Sequence, residues 1–283
     1  MKRFCTVTIM AALALSITAS SYARETIQIK GSDTMVNLGQ AWSEEFNKKY
    51  PDISVSVTGG GSGTGIAALI NGTCDIAECS RAMDDKEIKQ AEARGIKPAQ
   101  HTVGLDGIAV VVNPKNPVKN LNIDQLRDVF MGNINNWKDL IGKNKEIVIL
   151  SREFNSGTHM FFKEHVLRRG NSKGPEEFAP SALLMPSSQA IADEVANNEN
   201  AIGYYGMGYI SPKQKTIAVG KMKDTAFIEP TMLNVKSNTY PISRPLYMYT
   251  NGEPKGIVKE FIDFVYSKDG QEIVKKLDFV PIK

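Results

Sequence analysis

The chain has 283 residues, with 34 basic and 31 acidic side chains, three cysteines and three histidines. Setting aside Lys2 and Arg3 leaves 32 basic against 31 acidic residues. That balance excludes a non-specific nucleic-acid binder, whose basic patch would dominate, but leaves room for one local positive site.

Lys2 and Arg3 precede an apolar stretch over residues 4–19, which ends in small residues at Ser21 and Ala23. This reads as a secretory signal peptide over residues 1–23, cleaved after Ala23, and places the mature chain in the periplasm. Cys5 lies too early for a lipid-attachment cysteine. No other segment approaches the ~18 apolar residues of a spanning helix. The remaining chain, about 260 residues, suffices for two lobes of ordinary size.

Residues 25–30 form a first strand ending at Gly31-Ser32-Asp33-Thr34. Met35, Leu38, Trp42 and Phe46 then recur at helical spacing, with Ser32 or Asp33 as the expected cap. Pro51 precedes a second strand over 53–57, followed by GGGSGTG at 59–65 and a short helix over 66–70. A strand over 75–78 leads to Ser80-Arg81, and Asp84 caps a polar helix closed by Gly95. Alternating strands and helices predict a parallel α/β sheet.

Residues 106–113 read as a buried strand ending at the stiff turns Asn113-Pro114 and Asn116-Pro117. A helix around Ile123, Leu126, Val129 and Phe130 follows, then Trp137 and a strand over 147–150. The next helix, beginning around His159, is expected to turn Phe161, Phe162, His165 and Val166 inward. Residues 170–186 read as loop, and Ser187-Ser188 cap a helix over 189–197. Residues 201–205 and 213–219 alternate weakly. An extended segment over 241–250 precedes a last amphipathic helix from Pro254. The extended runs near residues 106 and 245 are natural paired crossovers between a discontinuous first lobe (24–107 plus 246–283) and a contiguous second one (108–245).

Beyond the signal segment only Cys74 and Cys79 remain. Five residues of extended chain span ~16 Å, past disulfide reach, so two free thiols are expected. His101, His159 and His165 have no metal-ligand pattern around them.

Ser32, Ser62, Ser80 and Ser156 stand at the carboxyl ends of predicted strands or directly after them, the edge where open α/β sheets bind ligands. Arg81 and Arg152 share that edge, and a guanidinium fork suits a tetrahedral oxyanion. Glycine-rich turns opening helices add bare N–H groups, here at 59–65 and at Ser156-Gly157-Thr158. Nucleotide loops do not fit: GGGSGTG lacks the Lys-Ser/Thr pair of a P-loop and the G-x-G-x-x-G spacing. G-x-S-x-G fails because Thr64 ends the run. Ser156 and His159 are the remaining hydrolase pair, but a serine at a helix start is more simply a cap.

Taken together, Gly31–Thr34, GGGSGTG at 59–65, AECSR at 77–81, NWKD at 136–139 and REFNSGTH at 152–159 closely resemble the phosphate-binding proteins that serve phosphate ABC transporters. AIGY at 201–204 and the ending through Phe279-Val280-Pro281 extend the resemblance over essentially the whole mature chain. It implies a type II periplasmic-binding-protein fold of two α/β lobes joined by two strands. It further implies a non-catalytic, monomeric receptor without cofactor or metal, whose partner is a membrane permease. Ser32, Thr34, Ser62, Gly63, Ser80, Arg81, Arg152, Ser156, Gly157 and Thr158 would contact phosphate. Arg81 stands where the best-known members carry the aspartate that accepts the phosphate proton, which leaves Asp33 and Asp106 as candidate acceptors. Rival readings keep the fold for sulfate or molybdate, make the protein a secreted phosphatase or esterase, or use the receptor for adhesion or chemosensing.

Overall fold

The computed structural model describes residues 25–222 and 225–282; the expected signal segment lies outside them. The elements run β1 (Glu25–Gly31), α1 (Val36–Lys49), β2 (Ile53–Thr58), α2 (Ser62–Ile70), β3 (Ile76–Cys79), α3 (Asp85–Ala93) and β4 (Pro98–Val112). Then come β5 (Asn120–Asn122), α4 (Ile123–Phe130), α5 (Lys138–Ile141), β6 (Val148–Arg152), α6 (Gly157–Phe162), β7 (Leu183–Met185), α7 (Ser188–Asn197) and β8 (Ala201–Gly206). The chain finishes with β9 (Lys215–Thr216), β10 (Ala218–Gly220), α8 (Met232–Lys236), β11 (Ser243–Asn251), α9 (Gly256–Tyr266) and α10 (Lys268–Lys276).

The main sheet has the order β2-β1-β3-β11-β4-β8-β6-β7, with β9 alongside β4; β5 and β10 pair separately. β1 runs parallel to β2 and β3, and β6 parallel to β7 and β8, as the strand–helix alternation predicts. β4 joins the two halves. Its residues 98–107 pair antiparallel with β11, and its residues 108–112 pair antiparallel with β8. Ile108, Ala109, Val110, Val111 and Val112 are all fully buried, the pattern of a strand covered on both faces.

The helical spacing of Met35, Leu38, Trp42 and Phe46 is borne out: all four are fully buried, and the Trp42 indole donates to the Gly270 carbonyl of α10. Truncating one such side chain to alanine costs about 2–5 kcal/mol, because the site relaxes only partly. Asp84 caps α3 through a reciprocal capping box, and Ser187 caps α7. Cys74 and Cys79 are free thiols, both raised by burial, Cys74 to about 12.

Five expectations need correction. Neither Ser32 nor Asp33 caps α1; a single 3-10 turn over Asp33–Met35 leads into it without a side-chain cap. The strand read from residue 106 begins at Pro98, because its first part alternates too weakly to stand out. His165 is exposed and stacks on Phe161 at 3.7 Å, since α6 passes into a π-helical stretch over Lys163–Leu167 that shifts the periodicity. The presumed loop 170–186 contains β7, held by parallel pairing to β6. A further helix, α10, follows α9 and is capped by Ser267. No described helix is long and apolar enough to cross a membrane.

Candidate functional site

The carboxyl ends of β1 and β3 lie side by side, because Gly31 is in register with Glu78 and the Ser32 amide donates to the Glu78 carbonyl at 2.8 Å. Beside them α2 begins at Ser62. The Gly61 amide donates to the Gly31 carbonyl, and Gly61 itself has φ +95 with a virtual Cβ only 2.5 Å from the Asn155 carbonyl. Only glycine allows that backbone and that approach. Ser62, Ser80, Ser32 and Thr34 are thereby gathered at one edge, all buried.

From the other half of the sheet, β6 ends at Arg152 and a turn delivers Ser156, Gly157 and Thr158 to the same place. Ser156 caps α6 through the His159 amide at 3.3 Å. Behind the turn the His159 ring contacts Ser151 Oγ at 3.2 Å, and Ser151 Oγ contacts the Tyr204 hydroxyl at 2.8 Å. Tyr204 stacks on Phe162, the last residue of α6, at 3.9 Å, so β8 supports that helix from beneath. Burial, with help from Lys163, lowers the His159 imidazole to about 4 and keeps it neutral.

The two edges meet at Thr34 and Thr158, while Ser62 and Ser80 pair within the first edge. Thr34 and Thr158 touch at 2.8 Å, and Ser62 and Ser80 at 3.3 Å. A Cβ on Gly157 would lie 2.2 Å from Ser62 Oγ and 2.7 Å from Ser80 Oγ. The Ser32 hydroxyl is buried here without any hydrogen-bond partner. An unpaired buried hydroxyl is costly, so its survival points to a ligand.

Each arginine of the site faces a carboxylate. Arg152 donates to Asp33 Oδ2 at 2.9 Å, to Ser188 Oγ at 3.0 Å, and to the Met185 and Pro186 carbonyls. Arg81 grips Glu87 through two 2.7 Å bonds, with its Nε buried and unpartnered. Arg244, fully buried, donates twice to Asp106 Oδ2 at 2.7 and 2.9 Å. Burial raises the Asp106 carboxyl and lowers the Arg244 guanidinium, each opposed by its partner's charge. A guanidinium does not deprotonate in proteins, so the pair is ionic.

The sequence-predicted residues Ser32, Thr34, Ser62, Ser80, Gly157 and Thr158 converge at the hydroxyl cluster. Ser156 adjoins it as the cap of α6, and the Gly63 amide is taken up by the Asn155 carbonyl at 3.0 Å. Asp33 and Asp106 are engaged by Arg152 and Arg244 rather than standing open. Sequence reading missed Arg244, Asn155 and Ser188. Asn155 donates to the Gly60 carbonyl at 2.7 Å, and Ser188 donates to Asp33 through both its amide and its hydroxyl at 2.8 Å. Arg244 opens the extended run after Pro241, and a charge ahead of an apolar strand was the one available signal. Among the described residues no group of three or more His, Cys, Asp or Glu side chains is placed to hold a metal ion.

A two-part α/β sheet with the site between its parts defines a type II periplasmic-binding-protein fold, and the PBP superfamily domain matches residues 16–269. The phosphate-binding protein PstS of Pseudomonas aeruginosa is 33% identical over 269 residues, covering 89% of this chain and 81% of the relative. PstS of Bacillus subtilis is 32% identical over 262 residues, covering 92% and 82%. A Clostridium perfringens protein crystallised with bound phosphate, and assigned to a phosphate ABC transporter as its substrate-binding protein, superposes with TM-score 0.82 at 33% identity, covering 92% of this chain and 100% of that one. The chain belongs to the PstS family.

Proposed function

We propose that this protein is the secreted receptor that captures inorganic phosphate and delivers it to the membrane permease of an ABC importer. The observation that carries this reading is the buried hydroxyl cluster of Ser32, Thr34, Ser62, Ser80 and Thr158, with Ser32 lacking any partner. Hydroxyls donate to an oxyanion without adding charge, and an anion that parts each hydroxyl–hydroxyl contact gains two O–H donors from it. PstS relatives and a phosphate-bound neighbour support the choice of anion.

The two halves of the sheet are the lobes, residues 24–107 plus 246–283 and residues 108–245, with β4 and β11 as the crossovers. Phosphate first meets Ser32, Thr34, Ser62 and Ser80; Gly157 and Thr158 then close over it, with Arg152 and Asp33 clamping the lip. Arg152 Nη2 donates to the Pro186 carbonyl at 3.1 Å, and its second N–H is the donor assigned to the anion. The protein acts as a periplasmic monomer and performs no turnover. In support of that, Ser156 is occupied as a helix cap, and the His159 ring turns away from it to Ser151, whose hydroxyl is fully buried and also contacts Tyr204.

Calorimetric titration of the mature protein with phosphate, with arsenate and sulfate as competitors, tests the reading. Saturable 1:1 phosphate binding, displaced by arsenate far better than by sulfate, is expected. Tight sulfate binding with none for phosphate overturns it, and steady hydrolysis of a chromogenic phosphate ester overturns the non-catalytic part.

A further inference from the structure

We propose that Arg244 is a positioning residue of this site: it fixes the Thr34 and Thr158 hydroxyls as donors toward the bound anion and ties them to both crossover strands. The inference rests on the phosphate-binding reading and adds a residue and a role to it.

The contacts of Arg244 reach every part of the molecule that must move together. It lies at the start of β11 in direct register with Asp106 of β4, so the ion pair bridges the two crossovers. Its Nη1 donates to the Ser80 carbonyl at 2.9 Å. Its Nη2 reaches Thr34 Oγ1 at 3.3 Å and Thr158 Oγ1 at 3.0 Å. The guanidinium also lies 5.7 Å from the centre of the Phe161 ring of α6. One side chain therefore contacts the first half of the sheet, the second half, and the junction between them.

Hydroxyl chemistry turns this position into a directional effect. A threonine hydroxyl has one hydrogen and two lone pairs, whereas a guanidinium only donates. Nη2 has two hydrogens: one goes to Asp106 Oδ2, and the other is shared between the two threonine oxygens as a three-centre bond. In the 2.8 Å pair one threonine also donates to the other. The receiving oxygen then has both lone pairs filled, and its own hydrogen must go to a further acceptor. An oxyanion supplies that acceptor. Once the anion parts the two threonines, both present O–H to it while Arg244 occupies their lone pairs. Asp106 plays the complementary part. Its Oδ2 takes the guanidinium and its Oδ1 takes the Met207 amide at 2.9 Å, so the carboxylate anchors Arg244.

Two variants test this without depending on one fold outcome. Arg244→Met with Asp106→Asn removes both charges together, so no charge is left buried alone. Arg244→Lys keeps the pair with Asp106 and loses the second donor that reaches the threonines. Both are expected to melt near the wild-type temperature without phosphate, and both to bind phosphate about 10- to 100-fold more weakly, the range for a lost hydrogen bond to a charged group. Thr158→Ala is expected to weaken phosphate binding in the wild type and to have little further effect in either background; a purely structural role for Arg244 leaves that effect at full size. Unchanged phosphate affinity in both variants, or an undiminished Thr158→Ala effect, overturns the role of Arg244 alone. Failure of the wild type to bind phosphate in the same titration overturns the functional reading beneath it.

Discussion

Glu78 is a carboxyl group with nothing to hold its charge. It is buried against Gly39 of α1, and neither side-chain oxygen has a hydrogen-bond partner. Burial raises its pKa well above the ordinary carboxylate value, so the folded protein keeps a proton that the unfolded chain releases. Stability from this group is complete below the ordinary carboxylate range and is lost as pH rises towards the folded value. Glu78→Gln is expected to raise the urea midpoint over wild type at pH 8, with the gain shrinking towards pH 5; a gain independent of pH contradicts a protonated Glu78. His159 has the opposite sign. Its imidazole is lowered from 6.5 to about 4, so the unfolded chain binds more protons between those values and stability falls as pH falls through them. The most this costs is about 3 kcal/mol. His159→Gln is expected to lose less of its urea midpoint than wild type between pH 7 and pH 4.5, and equal losses set the idea aside.

At the scale of elements, the proposed closure turns on the start of α6 against the start of α2. Gly157 sits where a side chain would strike Ser62 and Ser80, so Gly157→Ala introduces overpacking only between the halves. Overpacking of about 1–3 kcal/mol translates to roughly 10- to 100-fold weaker phosphate binding, with the melting temperature without phosphate little changed. Wild-type affinity in that variant excludes a tight Gly157–Ser62 approach in the bound form. These element starts were legible in the sequence because glycines and hydroxyls at strand ends leave a local pattern. So did α1 and α3, whose buried spacing and capping box depend on nearby residues. What stayed hidden depends on distant partners. β7 is a strand only because β6 lies beside it, and the first part of β4 only because β11 does. Arg244 finds Asp106 across the sheet, and no spacing along the chain announces a pair formed by register.

For the whole molecule, the site concentrates three guanidinium groups yet stays close to neutral, because Arg81, Arg152 and Arg244 are matched by Glu87, Asp33 and Asp106. The Arg152 pair joins the halves away from the crossover strands, where the Arg244 pair sits. Asp33 follows β1, while Arg152 ends β6 and Ser188 opens α7, so three bonds to Asp33 Oδ2 form only when the halves are together. The Tyr209 hydroxyl adds a fourth cross-contact, to the Asp33 carbonyl at 2.8 Å. Contacts made only in the closed form raise its population, and apparent affinity scales with that population. Asp33→Asn keeps the shape and weakens the charge-assisted bonds. The expected result is a closed form less populated by about 10- to 100-fold, from roughly 1.5–3 kcal/mol for a hydrogen bond to a charged group. Small-angle scattering should then give a larger radius of gyration for Asp33→Asn at sub-saturating phosphate, and calorimetry a weaker affinity. Anion selectivity separates the two roles open to Asp33. A clamp acts on closure whatever anion is inside, so phosphate and sulfate affinities should fall by the same factor. A proton acceptor touches only the protonated anion, so Asp33→Asn would weaken phosphate alone and erase the preference. Equal losses assign Asp33 to the clamp; a loss confined to phosphate assigns it to selectivity and leaves closure to the remaining contacts.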